Sequence, residues 1–183
     1  LEERVRISLY ADSLNQFATA LENFRQIQDL DSMSLIPYLE MGRLDNKYKA
    51  PYAVSDISFG LQKDSTFEPL IIEYARALVY QGELDQATSQ IAKLNLEGAA
   101  EIDIRFLKAE MALASQDTLQ ALANLDSIYQ KKPLHQPTIL LMASIMAAQE
   151  EWELGNALIT TAIESNTENP ELWYFYALFS RAW

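Results

Sequence analysis

The chain repeats itself with a period of 34 residues, and small side chains recur in phase at two places of the period. One series consists of Ala75, Ala109, Ala143 and Ala177. The other, twelve residues later in each unit, consists of Ala87, Ala121 and Gly155. Because two phased series without an insertion rarely arise by chance, they predict an array of similar units that stack on one another.

The two series also predict what the units are made of. Small side chains at fixed places let the backbones of neighbouring helices approach closely where they cross. A glycine inside a helix, such as Gly155, costs about 1 kcal/mol relative to alanine unless a close contact requires it. We therefore expect each unit to be a pair of antiparallel helices.

Turns and apolar spacing agree with this interpretation. Gly82 lies between the two series and can adopt the left-handed conformation that ends a helix, while polar residues replace it in the next two units. After this turn, apolar residues follow at spacings of mostly three and four, which predicts amphipathic second helices. Their apolar residues are Leu84, Ala87, Ile91 and Leu94; Leu119, Leu122, Leu125 and Ile128; and Trp152, Leu158, Ile159 and Ala162.

Helix starters and breakers mark the boundaries of the units. Pro133 follows Lys132 at one boundary, and Asn169 is placed to cap a helix that starts at Pro170. Ser65 and Glu68 have the spacing of a capping box. The boundaries predict repeats at 34–67, 68–101, 102–135 and 136–169, followed by a terminal helix at 170–183.

The pattern is weaker near the start of the chain. The unit at 34–67 slips by one residue: Met41 and Gly42 fall in its first helix, and a polar link is expected at 45–49 before a second helix with Tyr52, Ala53, Ile57 and Leu61. Residues 1–33 are interpreted as a degenerate or capping repeat. All of these units together predict one domain over 1–183.

Composition excludes several classes of function. The net charge of −12 disfavours nucleic acid and anionic membranes and favours neutral or basic partners. No stretch approaches the roughly 20 apolar residues of a membrane span, so we expect a soluble protein. The chain has no cysteine, which fits a cytoplasm and a bacterial periplasm equally well and leaves the localisation unknown.

No constellation of reactive side chains suggests catalysis, a cofactor or a metal site. His135 is the sole histidine and is interpreted as a solvated residue in a link between repeats. Asp29 and Asp31 resemble part of a calcium loop, but the glycine and closing glutamate of that motif are absent. Adjacent acidic residues on a helix point in different directions. We predict that the chain is not an enzyme.

The repeated small residues, turns and apolar positions resemble the pattern of the tetratricopeptide repeat (TPR) family over most of the chain. The unit at 136–169 and the start of the next match the family pattern through Ala143, Trp152, Gly155, Ala162 and Trp173. The unit at 68–101 matches through Tyr74, Ala75, Gly82, Leu84 and Ala87. The unit at 102–135 departs from the pattern at Arg105 and Gln116 but keeps Pro133. The resemblance implies an all-α, right-handed α-solenoid of about four to five repeats plus a C-terminal helix.

The resemblance also implies a function, namely binding of a partner peptide or helix in a concave groove formed by the first helices. At the family's inward places stand Ile72, Arg76, Val79, Tyr80, Phe106, Glu110, Leu113, Leu140, Ser144, Ala147, Tyr174 and Leu178. Most of them are apolar or aromatic. Arg76 is the only cation in this set, so we expect no binding of acidic chaperone tails, which a subclass of the family grips with several basic residues.

Two functions stay open on this basis. The first is a scaffold or adaptor that assembles a larger complex; the alternative is a regulatory or sensing domain of a larger bacterial protein such as a transcriptional regulator. The segment 172–179 together with Trp183 is apolar nearly all round, which suggests that the chain continues, that a partner covers this end, or that two copies form a homodimer through it.

Overall fold

The fold is known from a computed structural model that describes residues 16–94, 100–165 and 168–181. These residues form helices and connecting turns without a strand, which confirms the all-α prediction. The helices are α1 (Phe17–Leu30), α2 (Ile36–Lys47), α3 (Ala53–Lys63), α4 (Glu68–Tyr80), α5 (Leu84–Ile91), α6 (Glu101–Ala114), α7 (Thr118–Lys131), α8 (Gln136–Ala148), α9 (Trp152–Ser165) and α10 (Pro170–Arg181). The start of the expected first repeat and Trp183 lie outside the described residues.

The helices follow the predicted repeats two by two. Helices α2 and α3 fall in the unit at 34–67, and α4 and α5 fall in the unit at 68–101. Helices α8 and α9 fall in the unit at 136–169. Within each of these units the two helices pack against each other. No helix among the described residues is long and apolar enough to cross a membrane.

The turns inside the helix pairs share one backbone conformation. Gly82 has a φ of 81°, which confirms the left-handed turn expected there. Gln116 and Glu150, one and two periods later, have φ values of 62° and 59°, and Lys49 in the slipped unit has 51°. Since such φ values disfavour side chains with a Cβ, the packing of the flanking helices holds these three residues in place.

Helix ends agree with the predictions at one boundary and differ at another. Asn169 Oδ1 accepts a hydrogen bond from the Glu171 backbone N–H at 2.8 Å, so it caps α10 as expected. The capping box predicted for Ser65 and Glu68 is wrong. Helix α4 begins at Glu68, after Phe67, and has no side-chain cap. Asp64 Oδ1 instead accepts from the N–H and the hydroxyl of Thr66, which forms a local turn before the helix.

Residues 1–107 form the first of two compact units. Its core contains one cluster around Phe24, Ile27 and Met41, and another around Ile57, Leu70 and Ala77. A Cβ added at Gly42 would stand 2.6 Å from Ile57 Cγ1, so a glycine is what allows α2 and α3 to approach so closely.

Residues 108–183 form the second compact unit. Its core joins α8, α9 and α10 through Ile139, Ala143, Ile159, Leu172 and Phe179. A Cβ at Gly155 would overlap the ring of Phe179. The glycine in the second helix therefore has the packing reason that its position predicts. The prediction of a single domain over 1–183 stays a prediction.

Both small-residue series are buried, with one exception. Ala75, Ala109, Ala143, Ala87 and Ala121 have no exposed surface, and Gly155 is buried. The prediction that Ala177 belongs to this set is wrong, because Ala177 is exposed on α10.

Contrary to the prediction from its spacing, Leu119 does not lie on the buried face of α7. Its side chain is 82% exposed. Asp117 caps α7 by accepting from the Gln120 N–H, and the buried stripe runs through Ala121, Leu125 and Ile128. Leu119 lies two residues before Ala121 and therefore on the opposite side of the helix.

Candidate peptide-binding surfaces

The predicted groove residues of α4 are divided between core and surface. Ile72 and Val79 are buried, so their side chains are not open to a partner, and their place in a groove stays a prediction. They pack inward because α4 is covered by α2, α3 and α5, which leaves little of its surface open. Tyr80 is exposed, and Lys49 Nζ lies 5.5 Å from the centre of its ring. Arg76 is largely covered and bonded to Glu73.

Arg76 belongs to a row of alternating charges across α2 and α4, which we call the charged ladder: Glu40, Arg43, Glu73 and Arg76. Arg43 Nη1 lies 2.8 Å from Glu40 Oε1, and Arg43 Nε lies 3.9 Å from Glu73 Oε1. Arg76 Nη1 lies 2.8 Å from Glu73 Oε1. Asn46 Nδ2 donates to both the Glu73 carboxylate and the Glu73 carbonyl at 2.9 Å. The ladder therefore ties two consecutive first helices together.

Sequence reasoning named Arg76 but missed the other members of the ladder. The signal was a Glu-x-x-Arg pair at Glu40 and Arg43 that recurs at Glu73 and Arg76, 33 residues later. It was hidden because the unit at 34–67 is one residue out of phase. Arg43, whose side chain is 51% exposed, supplies a second cation on this surface.

The predicted groove residues of α6 and α8 are mostly half-buried. Phe106, Glu110, Leu113, Leu140 and Ala147 are all in this class. Ser144 is exposed, and its hydroxyl donates to the Leu141 carbonyl at 2.7 Å. These side chains are accessible in part, as members of a binding surface must be.

The second unit brings two predicted groove residues together. Leu140 of α8 and Tyr174 of α10 line one cavity of about 400 Å³, which Pro170, Glu171 and Phe175 complete. Leu178, also on α10, is half-buried. A cavity of this size holds one or two large side chains, and its lining of leucine, proline and aromatic rings suits apolar ones.

Helix α10 leaves several aromatic side chains exposed. Tyr174 is 65% exposed and Trp173 is 46% exposed, whereas Phe179 is buried in the core. The rings of Trp173 and Tyr176 meet edge to face, with centroids 5.7 Å apart. The segment predicted to be apolar nearly all round therefore has one face in the core and one open aromatic face.

The prediction of a polar link at 45–49 is wrong, because Asp45 and Asn46 belong to helix α2. Helix α2 continues to Lys47, and the side chains of Asp45 and Asn46 are buried. Neither carboxylate oxygen of Asp45 has a hydrogen-bond partner. Burial raises the pKa of Asp45 to about 7; Asp56 adds to the shift, and Arg25 opposes it.

The other titratable candidates also take ordinary structural positions. His135 is half-buried rather than solvated in a link, and its Nδ1 lies 2.8 Å from the buried Thr138 hydroxyl oxygen at the start of α8. Asp31 Oδ1 accepts from the N–H groups of Met33 and Ser34, both at 3.2 Å. Over the described residues no three His, Asp or Glu side chains are grouped as metal ligands.

Solved structures with the same fold are TPR proteins. A thermophilic TPR protein from Thermus thermophilus matches with a TM-score of 0.82 at 13% identity, over 98% of each chain. A tetratricopeptide repeat protein from Parabacteroides merdae matches with a TM-score of 0.58 at 12% identity, over 99% of this chain and 72% of the other. The protein YrrB, described as a TPR protein with an unusual peptide-binding site, matches with a TM-score of 0.51 at 12% identity, over 86% of this chain and 82% of its own.

The chain therefore has the TPR-type α-solenoid fold, as the sequence resemblance predicts. Comparison with family models and with curated proteins finds no match. The class that the fold defines is a repeat solenoid of stacked helix pairs.

Proposed function

We propose that this protein is a non-catalytic scaffold that binds a peptide or helix of a partner protein along its first helices and so assembles a larger complex. The main observation in support of this proposal is the cavity of about 400 Å³ between Leu140 and Tyr174. The family resemblance assigns both positions to the binding face. An apolar side chain of the partner fits such a cavity, and burying it contributes roughly 1.5–3 kcal/mol.

Further support comes from the surface chemistry. The charged ladder presents Arg43, whose side chain is 51% exposed, and its guanidinium can donate hydrogen bonds to a peptide; Tyr80 of the same compact unit is also exposed. The net charge of −12 favours a neutral or basic partner over nucleic acid. Aromatic and arginine side chains are the types that most often dominate binding energy at protein interfaces.

Tyr174→Ala tests this proposal. Once a partner has been captured with a photo-crosslinking residue at position 174, its affinity for the purified chain is measured by calorimetry. We expect the substitution to weaken binding on the order of 10- to 100-fold, because an aromatic anchor at an interface contributes about 1.5–3 kcal/mol.

Leu154→Ala is the matched control, because Leu154 is similarly exposed, at 59%, but lies on the second helix α9. It should leave the affinity unchanged. An equal loss of affinity in both variants, or no loss of affinity in Tyr174→Ala, would contradict the placement of the binding face.

We also propose that two copies can associate through the open aromatic face of α10. Trp173, Tyr174 and Tyr176 together expose an apolar surface of the kind that proteins rarely leave uncovered. Light scattering on the purified chain should show a mass that rises with concentration toward twice that of one chain. The double substitution Trp173→Ser and Tyr176→Ser should abolish the rise, whereas a wild-type chain that stays monomeric at high concentration refutes the homodimer.

A further inference from the structure

A second cavity, of about 420 Å³, lies in the first compact unit, away from the predicted groove positions. Its lining comes from three helices: α1 provides Arg25, α2 provides Tyr38 and Met41, and α3 provides Asp56, Phe59 and Lys63, with two glutamines beside them. None of these residues belongs to the set at the family's inward places. The cavity thus needs an explanation other than the proposed peptide groove.

The charged groups of this cavity differ in how far the protein satisfies them. Lys63 Nζ donates to the Ser32 carbonyl at 2.6 Å and lies 5.5 Å from the centre of the Tyr38 ring. Asp56 lies in the first turn of α3, where the helix dipole favours a carboxylate, and its Oδ1 is 3.3 Å from the Ser55 hydroxyl. In contrast, Arg25 has neither an ion pair nor a hydrogen bond within the described part of the chain. Its side chain is exposed and interacts electrostatically with the nearby Asp45, so the guanidinium can pair with an external anion when Asp45 is protonated.

Asp45 is a further titratable group near Arg25, although it is not among the residues that line the cavity. Tyr38, Met41 and Asp45 follow one another on α2 at spacings of three and four, so they share one face of the helix. The carboxylate of Asp45 is buried and unpartnered. Its charged or titratable neighbours are Arg25 of α1, Asp56 of α3 and Tyr52 just before α3, while Glu73 of α4 is bonded to the adjacent Asn46.

The protonation of Asp45 changes the charge near Arg25, while the charge of the lining itself stays the same. With its pKa raised to about 7 by burial, Asp45 is uncharged in mildly acidic solution. The lining itself carries two cations, Arg25 and Lys63, against one carboxylate, Asp56. On a chain with a net charge of −12, this cavity is a local excess of positive charge.

We propose that this cavity binds a small organic anion whose carboxylate pairs with Arg25 and whose apolar body lies against Tyr38, Met41 and Phe59. A guanidinium presents two parallel N–H donors that match the two oxygens of a carboxylate. The volume lies within the range of pockets that hold small molecules. The same carboxylate can come from a free acid or from the C-terminus of a peptide.

Three probes with one carbon skeleton test the proposal on the whole chain by NMR titration: 3-phenylpropionate, 3-phenylpropionamide and 3-phenylpropylamine. We expect the acid to bind at least about tenfold more tightly than the amide, since hydrogen bonds to a charged group contribute about 1.5–3 kcal/mol. Signals of Tyr38 and Phe59 should shift. Equal binding of acid and amide, or tighter binding of the amine, overturns the proposal.

Two arginine variants locate the site. Arg25→Gln should reduce the affinity for the acid to that for the amide. Arg43→Gln, which removes an exposed arginine of the charged ladder on α2, should leave it unchanged. Circular dichroism confirms that each variant is folded; a folded Arg25→Gln chain that binds the acid as before refutes the assignment.

A further probe, the peptide N-acetyl-Ala-Ala-Phe with a free C-terminus, distinguishes a free acid from the C-terminus of a peptide as the natural ligand. Tighter binding of this peptide than of 3-phenylpropionate supports a chain terminus as the ligand, and the reverse supports a free acid. Binding of these probes is independent of the proposed peptide groove. Tyr174 lies in the other compact unit, so Tyr174→Ala should not affect the binding of either probe.

Discussion

Ala143→Glu should destabilise the second compact unit by several kcal/mol. Ala143 has no exposed surface and lies in the cluster of Ile139, Ile159 and Phe179. A glutamate there must bring both bulk and a carboxylate into an apolar core, and burying a charge without a partner costs on the order of 3–5 kcal/mol. Trp152 and Trp173 lie on α9 and α10 of this unit, so tryptophan fluorescence during urea unfolding reports on it.

Ser144→Glu provides the control for this substitution. Ser144 is the next residue of α8, but it is exposed, so the same new side chain should change the unfolding free energy by no more than about 0.5 kcal/mol. A urea midpoint for Ala143→Glu close to that of the wild type would mean that the alanines at 34-residue spacing do not mark close contacts between helices.

Asp45→Asn should stabilise the folded chain at neutral and alkaline pH. The folded-state pKa of Asp45 is raised from 3.8 to about 7, so the folded state holds this proton more tightly than the unfolded state does. The contribution of Asp45 to the free energy of unfolding is fully present below pH 4 and is lost as the pH rises to about 7. After allowance for solvent screening, the loss is on the order of 2–3 kcal/mol, which the asparagine avoids.

Thermal unfolding followed by circular dichroism at a series of pH values between 4 and 8 measures this effect. The wild type should lose stability across that range, and Asp45→Asn should lose clearly less. Asp64→Asn is the control: hydrogen bonds from Thr66 lower the pKa of Asp64, so its contribution is lost only below this pH range, and its profile should run parallel to that of the wild type. Parallel pH profiles for the wild type and Asp45→Asn would show that Asp45 is not buried as a carboxylic acid.

Features that depend on local spacing were predictable from the sequence. The helix pairs follow from the 34-residue period, and the burial of Ala75, Ala109 and Ala143 follows from their common phase. The left-handed turn at Gly82 and the cap at Asn169 follow from the preferences of single residues. Each of these features is determined within one helix pair.

Features that depend on distant partners were not predictable in this way. The end of α2 lies beyond Asp45 and Asn46 because Asn46 is bonded to Glu73, 27 residues later, which no local pattern reveals. The charged ladder depends on a contact between Arg43 and Glu73 of two different helices, which a pair of Glu-x-x-Arg motifs does not reveal by itself. Ile72 and Val79 occupy inward places by resemblance, yet neighbouring helices cover both of them.

The turns at Lys49, Gln116 and Glu150 keep the backbone of Gly82 without its glycine. A non-glycine residue in this conformation costs about 1 kcal/mol, and the helices on either side supply it. Unlike glycine, these residues carry exposed polar side chains of three different chemistries. The turn of each helix pair is thus a position where the side chain can be exchanged, one pair at a time, without disturbing the core.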